Sequence, residues 1–234
     1  MKGTCETLRV GGRRGVLYLS PGGGVRALLV ACCGDRLEDM LPEIERFLAP
    51  RMEADVSPFA LASLPDADWD ADYTPWPSTE LNGREMAGRA DALLDATQGP
   101  LLSAALDRLG GAARVGILGY SLGGLFALYA ASKPDSPFDC AASVSGALWY
   151  ERFADYAAQA PFPRLMRAYV SLGLKEAKTS RGPMGRNKAA SEAIHALLAA
   201  RLGDENAAFE WNNGNHFFEV PQRIGKAIAY LCKL

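Results

Sequence analysis

Five residues, Gly119-Tyr120-Ser121-Leu122-Gly123, join two apolar runs of different character, and that junction constrains the fold more than any other stretch of the chain. Before it, Arg114-Val115-Gly116-Ile117-Leu118 reads as a short buried strand; after it, Leu122 to Ala131 reads as a buried helix. A chain that passes from strand to helix across one residue must turn sharply, and the apex residue takes backbone angles that L-amino acids avoid. The positions around it must then be nearly free of side chain, which Gly119, Gly123 and Gly124 satisfy. This is the pattern of a nucleophile elbow, with the Ser121 hydroxyl raised above a sheet. The competing account is an ordinary glycine-rich connection in which Ser121 serves only as a helix N-cap.

The rest of the chain supplies a sheet for such an elbow. Residues 5 to 10 and 14 to 20 predict a hairpin, and the almost continuous apolar run Arg26 to Cys33 predicts a strand covered on both faces. A helix is expected over Asp39 to Ala49, stopped by Pro50, and a strand over Phe59 to Leu64. Helices are expected at 82 to 94 and 101 to 109, divided near Gly99-Pro100. After the elbow come strands at Cys140 to Ser145, Ala168 to Leu172 and Ala207 to Trp211, and helices at Phe153 to Gln159, Asn187 to Leu202 and Pro221 to Leu231. This alternation predicts an α/β fold, a mostly parallel central sheet with helices on both faces and active groups at the carboxyl ends of its strands.

At 234 residues, 49% of them apolar, the chain suits one large core, so a single domain over 1 to 234 is expected. A formal charge of -2 gives no electrostatic reason to expect nucleic acid as a partner. No stretch reaches the roughly 18 apolar residues that span a bilayer, and the start Met1-Lys2-Gly3-Thr4-Cys5-Glu6 has no apolar signal core. The five cysteines form an odd set without metal-ligand spacing, as free thiols in a reducing compartment would. The expected location is therefore cytoplasmic, with no membrane partner and no metal. Oligomeric state is left open.

A serine hydroxyl needs a neighbouring base to take its proton as it attacks. The chain has two histidines. His216 lies in the loop Asn212-Asn213-Gly214-Asn215-His216-Phe217, after the last expected strand and on the same sheet edge as Ser121, whereas His195 lies inside an expected helix. His216 is the expected base. The carboxylate that orients it is expected to be Glu176, which follows the strand Ala168 to Leu172; Asp155, or a serine and histidine without a carboxylate, are the alternatives. The order Ser121, Glu176, His216 is that of the α/β-hydrolases.

An oxyanion formed on attack needs backbone N–H donors. Leu122 is expected to supply one from the helix N-terminus, and Gly34, in the loop after an earlier strand, the second. Trp69, Tyr73 and Trp76 stand beside prolines in the loop from Pro65 to Ser78 and read either as an aromatic wall for substrate, with Trp149, or as a loop folded back over the core. A second loop, Lys175 to Lys188, is strongly basic and reads as an anion-attracting or simply solvated segment.

Taken together, Gly119 to Leu128, Ser145-Gly146-Ala147-Leu148-Trp149-Tyr150, Gly173-Leu174-Lys175-Glu176 and Gly214-Asn215-His216-Phe217 resemble the esterases of the α/β-hydrolase superfamily related to esterase D and the siderophore esterases. Trp69-Asp70 and Thr74-Pro75-Trp76-Pro77 are similar to a loop of that group. The resemblance spans most of the chain from residue 26 onward and implies the α/β-hydrolase fold, Ser121 as nucleophile and His216 as base. Many lipase-like relatives carry His-Gly in the oxyanion loop, where this chain has Cys33-Gly34. The activity expected is hydrolysis of a small carboxylic ester through an acyl-enzyme, without a cofactor. An acyltransferase using the same nucleophile, a peptidase and a non-catalytic binding protein on the same fold are the other readings.

Overall fold

The computed structural model describes residues 2–52 and 54–233; Met1, part of the N-terminal stretch read above, lies outside them. Among the described residues an eight-stranded sheet runs through the molecule in the order β1 (Thr4–Val10), β2 (Arg13–Leu19), β4 (Phe59–Ser63), β3 (Ala27–Cys32), β7 (Arg114–Tyr120), β8 (Cys140–Val144), β9 (Arg167–Gly173), β10 (Ala207–Asn212). β1 and β2 form the expected hairpin, β2 pairs antiparallel with β4, and every later pairing is parallel. Two short strands, β5 (Pro77–Ser78) and β6 (Met86–Ala87), pair apart from it. The fold is that of an α/β-hydrolase.

Helices cover both faces. α1 (Leu37–Met52) and α7 (Val220–Leu231) pack on one face, where Leu41, Ile44, Leu48, Ile224 and Ile228 meet Ala27, Leu29 and Ala31 of β3. On the other face lie α2 (Ala90–Ala96), α3 (Leu102–Leu109), α4 (Leu122–Ala131), α5 (Phe153–Gln159) and α6 (Asn187–Leu202), against Leu28, Val30 and Cys32. The period of two along β3 thus feeds two separate cores, which is why its sequence is apolar throughout. All ten residues of α4 are buried, as a helix that is apolar on every side requires.

Three expectations are corrected. Pro50 does not stop α1, which continues to Met52: the buried Leu41, Ile44 and Leu48 hold it to the core and outweigh the one backbone hydrogen bond that Pro50, on its exposed side, leaves unmade. Residues 82 to 89 are not helical. Gly83 and Gly88 hold left-handed backbone there (φ 76° and 71°), and a side chain at Gly88 would overlap the Trp76–Pro77 backbone. Finally, Gly99-Pro100 does not divide two helices; α2 and α3 are joined through a widened π turn over Thr97–Leu101, which accommodates the proline.

Register decides where the chemistry emerges. Cys32 pairs with Gly119, Gly119 with Ser143, Val144 with Ser171 and Gly173 with Asn212, so β3, β7, β8, β9 and β10 end along one edge. Cys33, Ser121, Ser145, Glu176 and His216 all follow those ends. Between β3 and β7 the connections diverge to opposite sides of the sheet, the crevice in which open α/β sheets bind ligands.

Candidate active site

Ser121 stands at the apex of a strained turn, with φ 57° and ψ −121°. The backbone holds it there: its N–H donates to Val144 O at 3.1 Å, and its carbonyl accepts from Gly124, Leu125 and Ala147 at 3.0, 3.1 and 2.9 Å. The glycines permit the approach. A side chain at Gly119 would overlap the Gly123 carbonyl, and one at Gly123 would overlap the Cys32 carbonyl of β3.

The structure brings Ser121, His216 and Glu176 together. His216 Nε2 lies 3.0 Å from Ser121 Oγ, and His216 Nδ1 lies 2.6 Å from Glu176 Oε2. The second carboxylate oxygen, Oε1, accepts from the Gly173 N–H at 2.9 Å and Ser145 Oγ at 3.0 Å. Burial pushes the Glu176 carboxyl up, but the hydrogen bond and charge of His216, with the Ser145 hydroxyl and Gly173 amide, outweigh it and hold the group below its ordinary range. Asp155 lies in the first turn of α5, outside the cavity lining, and His195 faces Ala207 O at 3.2 Å from α6.

The histidine loop is built to a fixed shape. Gly214 takes φ 81°, and a side chain there would overlap the Phe218 ring. The Asn215 side chain accepts from the Phe217 N–H at 3.0 Å. Tyr120, next to the nucleophile, donates its hydroxyl to the His216 carbonyl at 2.6 Å and stacks on the imidazole with centroids 4.9 Å apart. Burial pushes the Tyr120 phenol up, so it stays a neutral donor.

Sequence reasoning missed Arg223. This side chain is 1% exposed, and it bonds Ser145 Oγ at 2.8 Å, Glu176 Oε1 at 2.9 Å and the carbonyls of Asn213 and Asn215 at 2.6 and 2.8 Å. Its signal was present: Arg223 falls within the apolar stripe of α7, beside Ile224, Ala227, Ile228 and Leu231, where a charge needs a buried partner.

A cavity of about 590 Å³ opens over Ser121 and His216. Of the expected substrate wall, Trp69 and Trp149 line it. Tyr73 and Trp76 do not. Tyr73 is 2% exposed and meets Phe126 of α4 edge-on at 5.6 Å, while Trp76 packs on Tyr150, Phe153 and Tyr156 and donates to Glu151 O at 3.0 Å. These two rings close the loop onto the core, as the alternative reading had it, and the loop around them is tied by Ala71 N–H to Asp68 Oδ1 and by the Thr74 hydroxyl to the Asp70 carbonyl.

Leu122 lines the cavity, and its N–H is at the first helical position, where no carbonyl of its own helix can accept. Gly34 is placed differently. It does not line the cavity, and the residues of its loop that do are Cys33 and Asp35. Burial pushes the Cys33 thiol up to about 12, which leaves no thiolate at neutral pH to compete with the serine. Of the cations in the basic loop only Lys175 reaches the cavity, beside Glu176, Thr179, Met184 and Asn187; Arg186 pairs with Glu80 instead.

A family model described as "Putative esterase" matches residues 13–220. The uncharacterized protein YbbA of Bacillus subtilis is 26% identical over 209 residues, covering 85% of this chain and 82% of that one. Among solved structures, the siderophore hydrolase EstB of Aspergillus nidulans superposes with a TM-score of 0.69 at 19% identity, covering 99% of this chain and 96% of that one. An IroE-like serine hydrolase of Shewanella oneidensis gives 0.73 at 14% identity, over 99% and 80%. At such identities the superpositions speak for the fold.

Proposed function

The chain belongs to the family that this model describes, and from that premise we propose that it hydrolyses small carboxylic esters through an acyl intermediate on Ser121. One observation carries the reading: a single imidazole reaches both Ser121 Oγ and the Glu176 carboxylate, through opposite ring nitrogens. With Nδ1–H directed to Glu176, the Nε2 lone pair faces the serine hydroxyl.

As Oγ attacks the ester carbonyl carbon, Nε2 takes its proton, and the carbonyl oxygen becomes an oxyanion. The Leu122 N–H at the start of α4 stabilises that charge, with the turn Cys33–Gly34–Asp35 as the place of a second donor. Collapse of the adduct breaks the bond to the alcohol, which leaves with the proton from His216. Water then attacks the acyl carbon, giving its proton to Nε2, and the acid is released as Ser121 regains a proton. The Trp69 and Trp149 rings on the cavity wall support an apolar or aromatic group on the ester.

The whole chain reads as one domain, since both cores are built on one sheet. Among the described residues no helix is long and apolar enough to cross a membrane. All five thiols are free, four of them buried, which supports a reducing compartment such as the cytoplasm.

Methanol competition tests the acyl intermediate. Several aryl esters of one acid, hydrolysed with methanol present, are expected to give one fixed ratio of methyl ester to free acid, because every substrate passes through the same acyl-serine. A ratio that changes with the leaving group would exclude that shared intermediate.

A further inference from the structure

We infer that Arg223 is the positioning residue of this site: one guanidinium fixes both the carboxylate that orients His216 and the loop that carries the imidazole. The inference rests on the triad reading above, and its geometry goes further. Arg223 comes from α7, yet its contacts lie on three other segments: Ser145 beyond β8, Glu176 beyond β9, and Asn213 and Asn215 beyond β10.

Glu176 Oε1 takes donors from Gly173, Ser145 and Arg223, which leaves Oε2 for His216. The carboxylate therefore has one orientation open to it, and with it the imidazole. On the other edge of the guanidinium, the Asn213 and Asn215 carbonyls flank the turn two residues before His216. A planar fork can serve both edges at once; an ammonium group, a point charge on a flexible stem, cannot. Packing alone calls for no charge here, since an apolar side chain would fill the stripe of α7 without the cost of desolvating an arginine.

The chain has two histidines, so a side-chain NMR titration gives two curves, with His195 as internal reference. In Arg223→Met the His216 midpoint is expected to rise by about half a pH unit or more, because the charge of Glu176 is no longer offset and favours the imidazolium. His195 should stay in place. The other titratable groups that line the cavity with His216 are Cys33, Asp35 and Arg36 after β3, Asp70 and Arg84, Tyr120 from β7, and Lys175 beside Glu176. They are the same in every variant.

Arg223→Lys keeps the charge and loses the fork. Its His216 midpoint should remain within about 0.2 units of wild type, while kcat on an aryl ester falls by about tenfold with KM nearly unchanged. Arg223→Lys also leaves the buried carboxylate with a cation beside it, and so reports even where Arg223→Met fails to fold. The inference is overturned by an unmoved His216 in Arg223→Met, by equal shifts in both histidines, or by a wild-type kcat in Arg223→Lys. The titration does not read turnover, so a wild-type chain without esterase activity would count against the serine mechanism and not against Arg223.

Discussion

Ser121→Ala is expected to lower kcat/KM on an aryl ester by about 10⁴-fold or more, a loss of about 5.4 kcal/mol of transition-state stabilisation. The midpoint of thermal unfolding should stay within about 2 °C of wild type. The two halves of this expectation have separate causes. The hydroxyl's hydrogen bond goes to His216, so the substitution removes the reacting atom and one polar contact. The strained turn is held by a backbone bond from its own N–H to Val144 O and by bonds to its carbonyl from Gly124, Leu125 and Ala147, all of which alanine keeps. Turnover within tenfold of wild type would take the serine out of the mechanism. A collapse of stability would mean instead that the side chain, and not the main chain, holds the elbow.

Gly123→Ala should act on the fold first. An added methyl would overlap the Cys32 carbonyl, a backbone atom at the end of β3, with further contacts to the rest of that residue. β3 is central in the sheet, paired on both sides, so it cannot yield without disturbing β4 and β7. α4 is buried along its whole length and has nowhere to withdraw. Overpacking of this kind costs roughly 3 kcal/mol or more, which for a chain of this size lowers the unfolding midpoint by about 6–12 °C. Gly99→Ala is the control, because nothing lies within 4 Å of the added atom there. Its midpoint should match or exceed wild type, as alanine favours helical backbone over glycine. Equal effects of the two substitutions in a calorimetric scan would contradict the close approach of α4 to β3.

The features that local sequence could reveal were those fixed by period and by glycine. The buried strand before Ser121, the all-apolar α4 after it and the crowded Gly119 and Gly123 each leave a mark within a few residues. So does the placement of Glu176 and His216, because each directly follows a strand that ends on the same edge. What the sequence hid depends on partners far along the chain. Arg223 looks like an ordinary helical arginine until the ends of β8, β9 and β10 are brought around it. Tyr73 and Trp76 look like Trp69 in the same loop, and only the positions of Phe126 and Tyr150 decide which rings face the core. Residues 82 to 89 of the helix expected at 82 to 94 are not helical for a related reason, since Gly88 is held by close packing on Trp76–Pro77, while 90 to 94 lie in α2 as expected. Pro50 was misjudged because tertiary contacts of α1 outweigh one missing hydrogen bond.

The most direct measurement is the mass of the chain after treatment with a fluorophosphonate, which reacts covalently with a serine that a histidine has activated. The wild-type chain should gain one adduct, found by peptide mapping on Ser121, and Ser121→Ala should gain none. A wild-type chain that stays unmodified, or that carries the adduct on another residue, would contradict the account.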